Sequence, residues 1–130
     1  MKERPLITPG TQAVLSLTTE TQFAPNGVVS RTLFATANER VVLFGFSEGQ
    51  ELTEHTSTAH VLVQILSGRC EFTLGGETHS LEAGHLLYLP PKMPHAVLAT
   101  EAFSMLLTMM KPEAAARVLT DIKATPATAS

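Results

Sequence analysis

The chain has 130 residues, of which 44% are hydrophobic and 16% charged, and its formal net charge is −3. This length predicts a single domain with a hydrophobic core, and the lack of a Lys/Arg run argues against nucleic acid as a partner. Because Cys70 is the single cysteine and no apolar segment is long enough for a signal peptide or a membrane span, we expect a cytoplasmic protein with no internal disulfide and no membrane partner.

Residues 1–27 form a mixed, polar segment. Three prolines and the turn pair Asn26-Gly27 mark breaks in any regular structure. We predict an N-terminal arm over residues 1–27 that holds at most one short strand.

Residues 28–110 contain eight short strand-like runs separated by turn signals. This spacing is typical of an all-β sandwich or barrel and not of βαβ units. We therefore predict one barrel domain over residues 28–110. The predicted strands are VVSRTLFA (28–35), VVLFGF (41–46), HVLVQIL (60–66), RCEFTL (69–74), ETHSL (77–81), HLLYL (85–89), HAVLA (95–99) and FSMLLTMM (103–110).

The run RCEFTL has the clearest strand pattern. Cys70, Phe72 and Leu74 share one face and the intervening polar residues share the other, which is the period of a half-buried strand. The pair Gly75-Gly76 then separates this run from ETHSL and predicts a tight hairpin turn with positive φ. On this pattern Cys70 is a small buried residue and not a reactive thiol.

Residues 111–130 carry the helical pattern of the chain. Pro112 suits the first position of a helix. An apolar stripe follows at Ala115, Ala116, Val118, Leu119 and Ile122. We predict a short C-terminal helix followed by a frayed tail.

Two segments place a histidine at a fixed spacing from glycine and proline residues. The first contains Gly49, His55 and Gly68, and the second contains Gly84, Pro90 and His95. These residues resemble the two sequence motifs of the cupin superfamily, and in particular its small single-domain bacterial members of the cupin type-2 or RmlC-like kind. The resemblance covers roughly residues 28–112. It implies an all-β double-stranded β-helix, which is a jelly-roll-like barrel, and a homodimer.

The chain departs from the cupin motifs at positions that usually bind a metal. Ser57 stands in place of the second histidine and Val61 in place of the glutamate, so His55 and His95 are the two ligand positions that stay in register. Structural and catalytic transition-metal sites normally use three or four protein ligands. The resemblance implies a divalent transition metal (Zn, Fe, Ni, Mn or Cu) at His55 and His95, bound weakly unless a third group joins them.

Two polar residues of the next strand are candidates for that third group. His60 lies one position before the usual glutamate, so strand alternation turns it away from the metal unless a local bulge intervenes. Gln64 has the same parity, yet its apolar neighbours predict partial burial, where its amide would need a hydrogen-bond partner. A structural role and a pocket role for Gln64 both stay open, as does His60 as a metal ligand.

The predicted barrel can hold a pocket for one small ligand. Inward positions alternate along each strand of a small barrel. In this register His55, Val63 and Ile65 share the inner wall with Val61, and His95 lies beside them. Apart from the histidines this wall is apolar, so it suits a small, partly hydrophobic molecule with one or two polar groups.

Three classes of function stay open at this point. The first is a barrel protein that binds a small molecule, with or without a weakly coordinated metal. The alternative is a metal-dependent cupin enzyme of the dioxygenase or isomerase type, and the third is a structural or assembly role. We assign no catalytic residue, because no acid in register would orient either imidazole. The strand FSMLLTMM is apolar at nearly every position, which also favours a homodimer.

Overall fold

The computed structural model of the protein describes residues 4–112. Its elements are the helix α1 (Leu17–Glu20) and the strands β1 (Val28–Ala35), β2 (Glu39–Phe46), β3 (Glu51–His55), β4 (His60–Ser67), β5 (Arg69–Leu74), β6 (Glu77–Glu82), β7 (Leu86–Leu89), β8 (His95–Leu98) and β9 (Phe103–Met110). The strands form a five-stranded sheet in the order β1-β2-β9-β4-β7 and a four-stranded sheet in the order β3-β8-β5-β6. All pairings are antiparallel. The predicted all-β, jelly-roll-like barrel is therefore confirmed.

Three of the predicted strands have the same bounds in the structure. The runs 28–35, 69–74 and 103–110 are β1, β5 and β9 residue for residue. The turn after β5 pairs Leu74 with Glu77, and the intervening Gly75 and Gly76 have φ of 54° and 92°. A two-residue turn with positive φ at both positions is the type I′ hairpin, so the predicted Gly-Gly turn is also confirmed.

β3 is missing from the predicted strands. Four of its five residues are exposed, so the sequence Glu51–His55 has no apolar face to reveal it. It pairs with β8 on one side and forms the edge of the four-stranded sheet. This unpredicted strand carries His55.

The hydrophobic core lies between the two sheets. Phe46 and Phe103 of the five-stranded sheet are fully buried and stack with their ring centroids 4.6 Å apart. Cys70 and Phe72 enter the core from the four-stranded sheet. Cys70 has no exposed surface, as predicted, and burial raises the pKa of its thiol to about 12.

The N-terminal arm contains α1 where the sequence predicts at most one short strand. The Ser16 side chain caps this helix by accepting a hydrogen bond from the backbone N–H of Thr19 at 3.2 Å. Further along, the Ser47 hydroxyl at the end of β2 donates to the carbonyl oxygen of Ala24. The Ser47 bond holds the arm against the five-stranded sheet.

The other helical prediction falls on residues 111–130, of which 113–130 lie outside the described range. Within residues 4–112 no helix has the length and apolar character needed to cross a bilayer.

Candidate functional site

His55 and His95 lie side by side on neighbouring strands. His55 ends β3, His95 begins β8, and the two residues are directly paired in the antiparallel register. Their ring centroids are 4.2 Å apart and the ring planes meet at 61°. The structure therefore brings together two residues that are 40 positions apart in the sequence. We call them the histidine pair.

Backbone carbonyl groups fix the orientation of both imidazoles. His55 donates from Nδ1 to the carbonyl oxygen of Thr53 at 2.8 Å, and His95 donates from Nδ1 to the carbonyl oxygen of Met93 at 2.9 Å. A carbonyl oxygen can only accept, so Nδ1 carries the proton in each ring. In its neutral form, each imidazole therefore keeps the lone pair of its Nε2 available as an acceptor or a ligand atom.

The loops on either side of the histidine pair are tied together. The backbone N–H of Lys92, in the β7–β8 loop, donates to the carbonyl oxygen of Ser57 in the β3–β4 loop at 2.7 Å. Lys92 has a positive φ of 70°, which is uncommon for a residue with a side chain. This backbone conformation accompanies the hydrogen bond that joins the β3–β4 loop, which follows His55, to the β7–β8 loop, which precedes His95. His55 is exposed and His95 is half-buried, so the pair is open to solvent on one side.

The apolar inner-wall residues of β4 lie where alternation predicts. Val61, Val63 and Ile65 are 3%, 0% and 1% exposed and belong to the core cluster. Gln64 lies on the opposite face of β4 and is exposed, so the expected partial burial of its amide is wrong. The apolar neighbours that suggested burial occupy the other face of the strand or cover it only in part.

His60 forms a separate cluster with Tyr88. Its Nδ1 shares a hydrogen bond of 2.7 Å with the Tyr88 hydroxyl, and the two rings stack with centroids 5.9 Å apart. β4 runs in regular register from His60 to Ile65, without the local bulge that would turn His60 toward the histidine pair. The arrangement therefore does not support His60 as a third ligand.

The donor set does not fit a transition-metal centre of three or four protein ligands. Across residues 4–112 no group of three or more His, Cys, Asp or Glu side chains is placed to hold a metal ion. The positions at which the cupin motifs supply further ligands are Ser57 and Val61, and Val61 is buried in the core. Two imidazoles with free Nε2 atoms remain, which is one ligand short of the smallest common site.

Sequence reasoning missed the groups that orient the histidine pair. Both are backbone carbonyls, of Thr53 and Met93, and a backbone carbonyl leaves no residue-specific trace in the sequence. The one usable signal is spacing, because each acceptor lies two residues before its histidine.

Comparisons with known proteins agree with this architecture. Residues 41–129 match the family described as AraC-like ligand binding domain. Among solved structures, a conserved protein of unknown function from Streptococcus pyogenes is 36% identical, with a TM-score of 0.74, over 86% of this chain and 96% of that one. A cupin 2 conserved barrel domain protein from Leptotrichia buccalis is 31% identical, with a TM-score of 0.72, over 75% of this chain and 47% of that one.

A third solved structure shows the fold alone. It is a cupin superfamily protein from Desulfitobacterium hafniense that is 22% identical, with a TM-score of 0.74, over 85% of this chain and 99% of that one. The comparison with curated proteins gave no match. Together with the two sheets and the matched residues, these findings place the chain in the AraC-like ligand-binding domain family of the cupin superfamily.

Proposed function

We propose that this protein is a small-molecule-binding cupin whose ligand is held by the histidine pair. The observation that carries the proposal is that both Nδ1–H groups are already hydrogen-bonded to the backbone. Because the carbonyls of Thr53 and Met93 take both of them, His55 and His95 present two Nε2 acceptors on rings 4.2 Å apart. Two acceptors so close together are best satisfied by a molecule that brings hydrogen-bond donors. Membership of a ligand-binding family supports the same reading.

The surroundings of the histidine pair narrow the chemistry of that ligand. Val61, Val63 and Ile65 are buried in the core and leave almost no surface for a ligand. The apolar residue beside the pair is Leu74 of β5, which is paired in register with His95 and is only partly buried against the core. A ligand that contacts both the pair and Leu74 needs one or two hydroxyl or amino groups and an apolar portion. We therefore propose a small, partly hydrophobic molecule, and we assign it no reaction.

A divalent transition metal is the alternative occupant. The two Nε2 atoms can hold Zn, Fe, Ni, Mn or Cu only weakly, because His55 and His95 alone would have to bind it. A metal-dependent enzyme of the dioxygenase or isomerase type needs a firmly held ion, so the donor set favours the binding protein over this alternative.

Elemental analysis of untagged protein, combined with ligand screening by thermal shift, tests the proposal. We expect metal well below one ion per chain and at least one small hydroxylated or amino compound that raises Tm. A ligand at about 100 times its Kd stabilises by roughly 2.7 kcal/mol. The Tm increase should vanish in His55→Ala and in His95→Ala. It should persist in His85→Ala, because His85 is an exposed histidine in the β6–β7 turn. Stoichiometric metal that is lost in both pair variants would instead establish the metal-dependent alternative.

The same proposal includes a homodimer in the cytoplasm. The side chains of Leu62 and Gln64 point away from the core side of β4, opposite to Val61 and Val63. Residues paired with them in register lie on the same outer side of the five-stranded sheet. The apolar residues on this side are Leu62, Leu86, Tyr88 and Leu106. We call these four residues the outer apolar face. Leu86 is 66% exposed and Tyr88 is 49% exposed. Burial of this face against a second copy would remove apolar surface from water.

A further inference from the structure

A cavity lies at the end of the five-stranded sheet, where β2 begins and β9 ends. Its volume is about 310 Å³, at the lower end of the range for small-molecule sites. Met109, Met110 and Ala59 give it an apolar side, and Arg40 and Lys111 line it as well. The lining contains neither His55 nor His95. We infer that this cavity binds a small monocarboxylate that carries an apolar group.

The side chain of Arg40 is exposed at this cavity and is restrained there by one hydrogen bond. Arg40 pairs with Met109 across β2 and β9, and Met109 packs against the core, so the Arg40 side chain belongs to the inner face of the five-stranded sheet. Its Nη2 donates to the Thr32 hydroxyl on β1 at 3.2 Å. This bond restrains the guanidinium while using one of its five N–H donors.

Arg40 and Lys111 have no acidic partner among residues 4–112. The ion pairs found in that range involve Arg69 and His79. Glu39 also lines the cavity, but its Oε1 accepts a hydrogen bond of 2.6 Å from the Thr36 hydroxyl instead of pairing with either cation. Two cations and one such carboxylate leave the cavity with a local excess of positive charge, although the whole chain has a net charge of −3.

Lys111 is fixed at the rim through its backbone. Its N–H donates to the carbonyl oxygen of Asn38 in the β1–β2 turn at 3.0 Å. The turn, the end of β9 and the residues Thr58 and Ala59 of the β3–β4 loop thus border this open cavity. Both cations therefore extend from backbone that is hydrogen-bonded to a neighbouring strand or turn.

The geometry of the Arg40 guanidinium favours a carboxylate as the bound anion. A guanidinium presents two parallel N–H donors that match the two oxygens of a planar carboxylate. Inorganic phosphate would leave the methionine side of the cavity unfilled, whereas an attached apolar group covers it. With about 30 Å³ for one water-sized volume, the cavity has room for roughly ten non-hydrogen atoms. Benzoate is a probe of this size and chemistry.

The test is a titration of the full chain with sodium benzoate at low ionic strength, followed by ¹H–¹⁵N chemical shifts. We expect saturable shifts in the amides of Ala59, Met109 and Lys111, and weaker binding of benzamide, the uncharged analogue. Arg40→Gln should raise the Kd at least tenfold and Lys111→Gln severalfold. Added salt should weaken binding, because the pairing is between partly exposed charges.

Matched variants distinguish benzoate binding in this cavity from binding elsewhere on the protein. Lys92→Gln removes an exposed cation outside the cavity and should leave the Kd unchanged. His55→Ala should also leave it unchanged, so failure here and failure of the proposed function are distinguishable. Arg40 and Lys111 are both exposed, but Arg40→Gln also removes the hydrogen bond to Thr32. Lys111→Gln therefore keeps the test valid even where Arg40→Gln lowers stability. Equal binding of benzamide and benzoate, shifts confined to the histidine pair, or no saturation at millimolar benzoate would each overturn the inference.

Discussion

The backbone carbonyl of Gln22 lies directly over Gly45, in the space that a Cβ would occupy on any other residue at this position. Gln22 belongs to the N-terminal arm and Gly45 to β2, which is an inner strand of the five-stranded sheet. The glycine therefore allows the arm to approach the sheet backbone closely. The arm therefore contacts the barrel at a specific position, although α1 contributes no buried residue.

Gly45→Ala should displace the arm. The added methyl group would collide with backbone atoms of Gln22, which cannot move aside as a flexible side chain can. We expect a loss of about 1 to 3 kcal/mol in the free energy of unfolding, measured by urea denaturation, and faster proteolysis near residue 22. Gly27→Ala is the matched control, because its Cβ would meet only ordinary contacts at 3.6 Å and beyond. Equal stability of the two variants would refute the close approach.

Cys70 should be inert in the folded protein and should make stability depend on alkaline pH. Its pKa rises from 9.0 to about 12 on folding, so the unfolded chain loses the thiol proton first. The stabilising contribution is complete below pH 9 and is lost as the pH rises toward 12. Wild type should lose more stability than Cys70→Ala over this interval. Rapid labelling of the native thiol by a disulfide reagent near pH 8 would contradict burial of the thiol.

Tyr88→Phe should affect His60 without affecting the histidine pair. The substitution removes the hydroxyl that lies 2.7 Å from His60 Nδ1. Because both residues are partly exposed, we expect at most about 0.5 to 1.5 kcal/mol of lost stability. The His60 ring resonances should shift, and those of His55 and His95 should stay in place in the same NMR spectrum. Loss of ligand or metal binding in this variant would return His60 to the site.

Leu86→Glu should convert the proposed dimer into a monomer. Light scattering of wild type should give twice the chain mass of 13.9 kDa if the outer apolar face is buried between two copies, as we propose. A carboxylate at position 86 would have to be buried there without a partner, so the mass should fall to that of one chain. Val14→Glu is the control, since Val14 is 93% exposed on the arm. A monomeric wild type would refute this interface.

The sequence was informative wherever one face of a strand is buried. Arg69–Leu74 and Phe103–Met110 were predictable to the residue because core packing imposes a period of two or a continuous apolar run. β3 was not predictable, since four exposed positions in five leave no pattern. α1 was not predicted for a related reason. A helix of four residues that is capped by Ser16 has no apolar stripe.

The proximity of His55 and His95 was predictable from the sequence, but the orientation of their rings was not. Motif spacing selected His55 and His95, and the antiparallel pairing of β3 with β8 places them together. The burial of Gln64 could not be predicted from its sequence neighbours. Val63 and Ile65 lie on the other face of β4, so they are buried while Gln64 is exposed. The available nitrogen of each imidazole depends on a main-chain oxygen, and only coordinates could assign it.

The edge position of β3 gives the two halves of the histidine pair unequal mechanical support. His95 stands on β8, which has a neighbour on each side, whereas His55 stands on a strand with a single neighbour. Substitutions in β3 touch little of the core, because most of the strand is solvated. Substitutions can therefore change the surroundings of His55 on β3 while His95 stays held between two strands. In such a barrel, substitutions in β3 that alter the proposed ligand site should cost little folding stability.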